Sequence, residues 1–150
     1  MNLSKLNPWE RGALSSSGHE LHYQSPNKKY DVYLKYEGDI RMGPCYFSMI
    51  IGGSRLRNRF FGGEIYWSDD SGLFAAQEWL TTDEKSGPNT NLILFNPLKK
   101  TQAVIDHCLG GFTSALRFYP ESITLHRIVD GARQIKNVAY SEIQEWSQIV

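Results

Sequence analysis

The segment Tyr30–Glu37 has the sequence YDVYLKYE, in which Tyr, Val and Leu at even positions alternate with mostly polar residues at odd positions. A period of two residues places the two sets on opposite faces of a β-strand, and Tyr and Val favour strands. The residues Ser25-Pro26-Asn27-Lys28 before it favour a turn, because Pro fixes φ and Asn tolerates a left-handed backbone. We therefore predict a β-hairpin formed by Glu20–Gln24 and Tyr30–Glu37.

The same type of segment recurs along most of the chain, with glycine-rich turns between the segments. Further predicted strands are Cys45–Ile51, Ser54–Phe60, Glu64–Ser68, Leu73–Thr82, Asn91–Phe95, Thr101–Cys108, Phe112–Tyr119 and Ser122–Val129. Asn91–Phe95 is apolar nearly throughout, which is typical of a strand buried on both faces. The predicted fold is all-β, an antiparallel sandwich or a strongly bent meander of about eight to ten strands.

The C-terminal residues follow a different period. Ile143, Trp146 and Ile149 recur at intervals of three residues, and Ser141 is a suitable N-cap. This pattern predicts a short amphipathic helix whose Trp146 face packs on the sheet, held there by tertiary contacts.

The length of 150 residues corresponds to one domain. We expect residues 1–18 to be an irregular segment and residues 19–150 to form a single β-rich domain. Residues 1–18 lack the apolar core of a secretory signal, so the expected location is cytoplasmic. Cys45 and Cys108 are expected to be reduced, buried thiols.

The overall charge argues against two classes of partner. Lys and Arg together number 16, as do Asp and Glu, whereas nucleic-acid-binding proteins usually carry a basic excess. Nucleic acid is therefore an unlikely partner. No apolar run approaches the roughly 18 residues of a membrane span, so a membrane partner is not expected either. The oligomeric state is left open.

Motifs that would indicate catalysis or a cofactor are weak. His19 and His22 are three residues apart at the start of a predicted strand, where they would face opposite sides, so no metal is expected. Asp106-His107-Cys108 groups suitable residue types, but on a strand His107 lies opposite the other two. We predict no catalytic residue, no metal and no cofactor.

One internal similarity has an offset of 43 residues, between Ser25-Pro26-Asn27-Lys28-Lys29-Tyr30 and Ser68-Asp69-Asp70-Ser71-Gly72-Leu73. Each copy has a Ser, a turn pair and then an apolar strand start. The second copy, with the strand Asn91–Phe95 after it, resembles the turn-and-strand pattern of β-propeller blades, and the offset matches a blade period. A chain of this length has room for about three blades, fewer than a closed propeller needs. We interpret the similarity as two alike hairpins.

Two charged surfaces are candidate binding sites. Arg55, Arg57 and Arg59 alternate onto one face of a predicted strand, where they could bind an anion or protect a sheet edge. From Phe60 to Glu84 the chain contains no Lys or Arg but six acidic residues. The predicted partner-binding residues of this acidic hairpin are Glu64, Tyr66, Asp69, Asp70, Glu78, Trp79, Asp83 and Glu84. Acidic side chains beside aromatic anchors suit a basic protein partner, whereas the simpler interpretation is a solvated turn region.

The chain is a small β-rich domain without a catalytic motif, with the turn Ser25-Pro26-Asn27 leading to Tyr30–Glu37 and the acidic hairpin Glu64–Glu84. In these features it resembles the single-domain immunity proteins that bacteria encode beside polymorphic or contact-dependent toxins. That resemblance implies a non-catalytic, cytoplasmic module that masks a cognate toxin by tight stoichiometric binding, and the acidic hairpin suits a basic toxin domain. The alternative is an enzyme or small-ligand-binding domain whose site is assembled from distant strands, such as His107, His126 and Cys108 or the three arginines. A structural subunit that oligomerises through an aromatic surface is a third hypothesis.

Overall fold

The computed structural model describes residues 15–17, 20–40, 43–83, 85 and 87–149, with the backbone alone for 15–17. The fold is all-β and antiparallel, as the alternating pattern predicts. The described strands are β1 (Ser15–Ser17), β2 (Glu20–Gln24), β3 (Asp31–Asp39), β4 (Cys45–Ile51), β5 (Ser54–Arg55), β6 (Phe60–Trp67), β7 (Phe74–Trp79), β8 (Asn89–Asn96), β9 (Thr101–Leu109), β10 (Gly111–Phe118), β11 (Ser122–Val129), β12 (Ala132–Ala139) and β13 (Ser147–Gln148).

The larger sheet is a meander whose strands lie mostly in chain order, β1-β2-β3-β4-β6-β7-β8-β9-β13, with β5 paired to β4. It curls around a first core to which β2, β3, β4, β6, β7 and β8 all contribute buried side chains. The curl brings β2 against β6, where the Tyr23 hydroxyl donates to the Gly63 carbonyl oxygen at 2.5 Å. The predicted bent meander is therefore present.

The smaller sheet, in the order β10-β11-β12, packs on β7, β8 and β9 and encloses a second core. Asp106 of β9 joins the two sheets. Its side chain is 3% exposed and accepts hydrogen bonds from Thr113 Oγ1 at 2.7 Å, Arg127 Nε at 2.8 Å and Lys136 Nζ at 3.1 Å, one from each strand of the smaller sheet. Ile105 lies at a bulge, so both Ile105 and Asp106 are buried.

Strands β7 and β8 are shared by the two cores. Ala76 and Ile93 face the first core, whereas the adjacent Ala75, Leu92 and Leu94 face the second. The prediction that Asn91–Phe95 is a strand buried on both faces is thus confirmed. β7 is enclosed in the same way, since Phe74 and Ala76 belong to the first core and Ala75 to the second.

The predicted C-terminal helix is wrong. Tyr140–Glu142 forms a single 3-10 turn without a side-chain cap, and Ser147–Gln148 forms β13 on the edge of β9. Ile143 packs against the second core and Ile149 against the first, so their regular spacing did not mark one helical face. The open edge of β9 supplies backbone partners to a segment too short to stabilise a helix, and Trp146 stays 37% exposed.

Three further expectations need correction. The predicted strand Ser54–Phe60 is interrupted: Ser54–Arg55 forms β5 and Phe60 begins β6, because Asn58 between them takes a left-handed turn with φ of 56°. Of the predicted irregular segment 1–18, residues Ser15–Ser17 form β1 on the edge of β2, and the rest lies outside the described residues. The described strands number 13, more than the predicted eight to ten, because the short β1 and β13 and the eight-residue β12, none of which was predicted, add to the count.

The two similar turns found in the sequence have the same hydrogen bonds. In the first, Asn27 Oδ1 accepts from the Lys29 N–H at 3.0 Å and Ser25 Oγ accepts from the Tyr30 N–H at 3.0 Å. In the second, Asp70 Oδ1 accepts from the Gly72 N–H at 2.8 Å and Ser68 Oγ accepts from the Leu73 N–H at 3.0 Å. Both turns place their fourth residue, Lys28 or Ser71, at φ of 63°. The interpretation as two alike hairpins is confirmed by this geometry.

Candidate functional site

Four of the eight predicted partner-binding residues lie together on one side of the molecule. Glu64 and Tyr66 belong to β6, and Asp69 and Asp70 belong to the turn that follows it. We call these four residues the acidic side. β6 lies beside the region where the smaller sheet covers β7, β8 and β9, so Glu64 and Tyr66 of the acidic side border the cleft between the two sheets.

Glu64 and Tyr66 are coupled to each other on β6. The Tyr66 hydroxyl donates a hydrogen bond to Glu64 Oε2. Burial, together with the hydrogen bond and the charge of Glu64, raises the pKa of Tyr66. Tyr66 therefore remains a neutral donor over the physiological pH range and orients the Glu64 carboxylate.

The cleft behind these residues is a cavity of about 420 Å³, which we call the inter-sheet cavity. β6 and β7 contribute Glu64, Tyr66 and Trp79, and β10 and β11 contribute Phe112 and His126. Trp79 and Phe112 pack edge to face with ring centroids 5.5 Å apart. Glu64 is the only Asp or Glu, and no Lys or Arg occurs, among the described lining residues. The cavity thus combines several aromatic side chains with a single carboxylate.

A groove on the other side of Tyr66 continues the same surface. It is lined by Tyr66, Asp69, Leu116 and Tyr119, among others. Leu116 is 60% and Tyr119 43% exposed. Arg117 also lines the groove, with its guanidinium 5.0 Å from the centre of the Tyr119 ring. The acidic side therefore has exposed apolar neighbours, which is the composition of a contact surface.

The sequence did not indicate Leu116 and Tyr119. Leu116 is the extra residue of a β-bulge between Ala115 and Arg117, which interrupts the pairing with β11. The bulge leaves Leu116 exposed at the end of β10, and no residue type in Phe112–Tyr119 marks its position. These neighbours of the acidic side were visible only in the structure.

Within the acidic side, Asp70 stabilises the turn that follows β6. Its Oδ1 accepts hydrogen bonds from the Gly72 N–H at 2.8 Å and the Ser68 hydroxyl at 2.7 Å. These bonds hold the pKa of Asp70 below its ordinary value. Asp70 therefore stays charged to a lower pH than an ordinary Asp, while Asp69 is exposed beside it.

The other four predicted partner-binding residues lie elsewhere. Glu78 is paired with Arg59 and only 12% of its side chain is exposed. Trp79 is 6% exposed. Asp83 is exposed beyond the opposite end of β7, where its carboxylate accepts from the Lys85 N–H at 3.0 Å. Glu84 lies outside the described residues. The structure thus divides the acidic hairpin into an exposed end at Asp69–Asp70, a buried middle and a separate loop.

The three arginines do not share one strand face. Arg59 donates to Glu78 Oε2 at 2.7 Å and Oε1 at 2.9 Å, and its guanidinium lies 5.2 Å from the centre of the Phe61 ring. Arg55 donates to Glu37 at 2.8 Å, and Arg57 is exposed in the turn between β5 and β6. Two of the three guanidinium groups are thus held by carboxylates of the same chain, so the predicted anion-binding face is not assembled.

The remaining polar motifs are also separated. Asp106 and Cys108 are buried, whereas the exposed His107 hydrogen-bonds Asn89 Oδ1 at 2.7 Å, so the expected division of this motif between two faces is confirmed. Cys45 is half-buried, and neither it nor Cys108 is in a disulfide. His22 lies 2.6 Å from Asp31 Oδ1 and stacks on Tyr33, and His19 is outside the described residues. Within the described part of the chain, no three His, Cys, Asp or Glu side chains are grouped to hold a metal ion.

Comparison of the chain with family models, with curated proteins and with solved structures gave no match. A search of the described residues for a helix both long and apolar enough to cross a membrane found none.

Proposed function

We propose that this protein is a non-catalytic binding module whose acidic side recognises a basic segment of a partner protein. The observation that carries the proposal is that Tyr66 and Asp69 line one groove with the exposed Leu116 and Tyr119. Glu64 joins this surface through its hydrogen bond from Tyr66. Carboxylates accelerate association with a basic partner, and exposed aromatic and aliphatic side chains supply anchoring contacts. Both kinds of contact are available on the same surface.

We further propose that the binding inhibits the partner, as an immunity-type inhibitor masks its cognate toxin. This finer proposal is supported by the resemblance to immunity proteins in size and β-rich architecture. It is also supported by the structural roles of charged side chains that would otherwise be candidates for a polar site. Asp106, Glu78 and Arg59 are all engaged in ion pairs that hold the fold together. An inhibitor that acts by covering its target needs only a surface and tight packing.

The proposal is tested by neutralising the acidic side without disturbing its hydrogen bonds. The triple variant Glu64→Gln, Asp69→Asn, Asp70→Asn removes three charges. Asn at position 70 preserves the turn, because Asn27 fills the equivalent position of the first turn with the same hydrogen bonds. The tagged protein and this variant are used to capture partners from cells that make the protein, at low and moderate salt. We expect a basic protein that the original chain retains and the variant loses.

A control variant with the same change of charge is Glu20→Gln, Asp83→Asn, Asp130→Asn, whose members lie away from the acidic side. It should capture the partner as the original chain does. If both variants lose the partner equally, the effect is one of net charge and the acidic side is not the interface. The captured protein is then expressed alone and together with this chain. If it does not impair growth alone, or if co-expression does not restore growth, the inhibitor role is excluded while the binding role stands.

A second candidate function follows from the inter-sheet cavity. Its volume is about 420 Å³, and small-ligand sites typically measure about 300–1,000 Å³. His126, Tyr66 and Glu64 supply polar groups to it from distant strands. A carboxylate among aromatic walls suits a flat organic cation. Titration with benzamidine, monitored by isothermal titration calorimetry, tests this candidate. Saturable binding that Glu64→Gln abolishes would favour it, and no heat of binding would exclude this ligand class.

A further inference from the structure

A second cavity lies against the first core, where the curled sheet opens beside the C-terminal strand. Its volume is about 730 Å³, and we call it the end cavity. Its aromatic wall is formed by Tyr30, Trp67 and Phe74. The Tyr30 and Trp67 rings are stacked with centroids 6.3 Å apart, and the Trp67 and Phe74 centroids are 4.7 Å apart. The Tyr30 and Trp67 rings are nearly parallel and only partly buried, whereas Phe74 is fully buried behind them, so the cavity has an aromatic wall.

The charges around the end cavity are mostly positive. Lys29, Arg55 and Lys100 line it, and Asp31 is the only carboxylate among the described lining residues. Asp31 Oδ1 is already 2.6 Å from His22 Nε2 and 3.3 Å from Gln24 Nε2. The guanidinium of Arg55 is paired with Glu37 at 2.8 Å.

Lys29 and Lys100 are the cavity's two cations without an ion-pair partner among the described residues, against the single carboxylate of Asp31. Both are exposed, and neither forms an ion pair with any residue that the structure describes. They lie in different elements, Lys29 before β3 and Lys100 before β9, and the curl of the sheet brings them to one cavity. Two cations at the rim of an apolar cavity favour an anion.

Trp67 adds an independent observation. Its indole Nε1 is buried, and no acceptor for it exists among the described residues. Buried donors are nearly always paired, because an unpaired one loses its hydrogen bond to water without replacement. The wall of the end cavity thus includes an N–H donor without a hydrogen-bond partner among the described residues.

We propose that the end cavity binds a small organic anion with a flat apolar body and one acidic group, such as a carboxylate, sulfonate or phosphate. The flat body packs against the partly buried Tyr30 and Trp67 rings, and the acidic group pairs with the exposed Lys29 and Lys100. This site is separate from the acidic side, whose charge has the opposite sign. The proposal therefore does not depend on the partner-binding function.

The test uses two naphthalene dyes that share the same ring system. 8-Anilinonaphthalene-1-sulfonate carries a sulfonate, and N-phenyl-1-naphthylamine does not. We expect the sulfonate dye to bind the folded protein at one site per chain. The double variant Lys29→Gln, Lys100→Gln should weaken that binding about fivefold to tenfold, as expected for the loss of two partly exposed ion pairs. Binding of the uncharged dye should be unchanged.

Matched variants locate the site and separate it from general effects. Lys35→Gln, Lys85→Gln makes the same change of net charge at two exposed lysines away from the cavity, and it should leave both affinities intact. Energy transfer from tryptophan to the dye should fall with Trp67→Phe and much less with Trp79→Phe. The reason is that Trp67 lines the end cavity, whereas Trp79 lines the inter-sheet cavity.

Four results would overturn the proposal. They are no saturable binding of the sulfonate dye, equal weakening by both lysine double variants, weakened binding of the uncharged dye, or a dye signal that grows in mild urea. The last result would indicate binding to partly unfolded chains rather than to a formed cavity.

Discussion

The backbone N–H of Asn27 donates a hydrogen bond to Ser71 Oγ at 2.8 Å, across 44 positions of the chain. Asn27 is the third residue of the first repeated turn, and Ser71 is the fourth residue of the second. The two alike turns therefore touch and hold the curl of the larger sheet closed, beside the Tyr23–Gly63 hydrogen bond between β2 and β6. A similarity that looked local in the sequence has a role in tertiary structure.

Replacing Ser71 with Ala should lower the free energy of unfolding by about 1–2 kcal/mol, because it removes the acceptor and leaves the Asn27 N–H unpaired. Ser71 is 1% exposed. Lys28→Ala is the matched control, since Lys28 has the same φ of 63° in the first turn but an exposed side chain. Urea unfolding monitored by circular dichroism measures both. Equal losses for the two variants would mean that the strained backbone, not the hydrogen bond, decides the effect.

Breaking the Arg59–Glu78 pair should cost more than breaking the Arg55–Glu37 pair. The side chains of the first pair are 16% and 12% exposed, whereas Arg55 in the second is 54% exposed. Glu78→Gln leaves a mostly buried guanidinium without a counter-charge, and we expect a loss of about 2–3 kcal/mol. Glu37→Gln should cost less than about 1 kcal/mol. Parallel urea titrations test this order, and a reversed order would contradict it.

The stability of the fold should fall in acid through Asp106. Burial opposes ionisation of Asp106, but the hydrogen bonds from Thr113, Lys136 and Arg127 outweigh it and hold the pKa below its ordinary value. A carboxyl group with a lowered pKa in the folded state contributes its stability above the unfolded-state pKa of about 3.9. That contribution is lost as the pH falls from this value through the lower pKa of the folded state.

The measurement is the urea midpoint between pH 2.5 and pH 7, a range chosen to span about 1.4 units below the unfolded-state value and the plateau above it. Asp106→Asn should be less stable than the original chain at neutral pH and should show a smaller loss below about pH 4. Asp130→Asn, in an exposed turn, serves as the control and should keep the original acid dependence. If Asp106→Asn also keeps it, another carboxyl group is responsible.

The last strand should stabilise the fold through one apolar contact. Ile149 packs against the first core, and its N–H donates to the Lys100 carbonyl oxygen at 3.0 Å. Ile149→Ala should lower the free energy of unfolding by about 1–2 kcal/mol, less than for a fully buried Ile. Gln148→Ala, at the exposed last position of β13 beside Ile149, should change it by less than about 0.5 kcal/mol. Thermal unfolding of both variants distinguishes a packed strand from a frayed end.

Local pattern predicted the strands that have strong alternation or continuous burial, such as Tyr30–Glu37 and Asn91–Phe95. It failed for residues 141–149, because spacing alone does not show that Ile143 and Ile149 belong to two different cores. The acidic segment was identified as a set by charge, but charge did not reveal that Glu78 faces Arg59. Long-range pairing of this kind depends on the curl of the sheet, and a single sequence contains no direct record of it.

Ala75 and Ala76 are adjacent in β7, neither is exposed, and they belong to different cores. Because β7 and β8 contribute side chains to both cores, these strands cannot separate from one core without loosening the other. The two sheets should therefore lose their amide hydrogens to exchange in a single cooperative event at β7 and β8, whereas the outer strand β12, exposed along six of its eight residues, should exchange through small local openings. Cooperativity in this protein thus arises from a shared strand pair rather than from one central core.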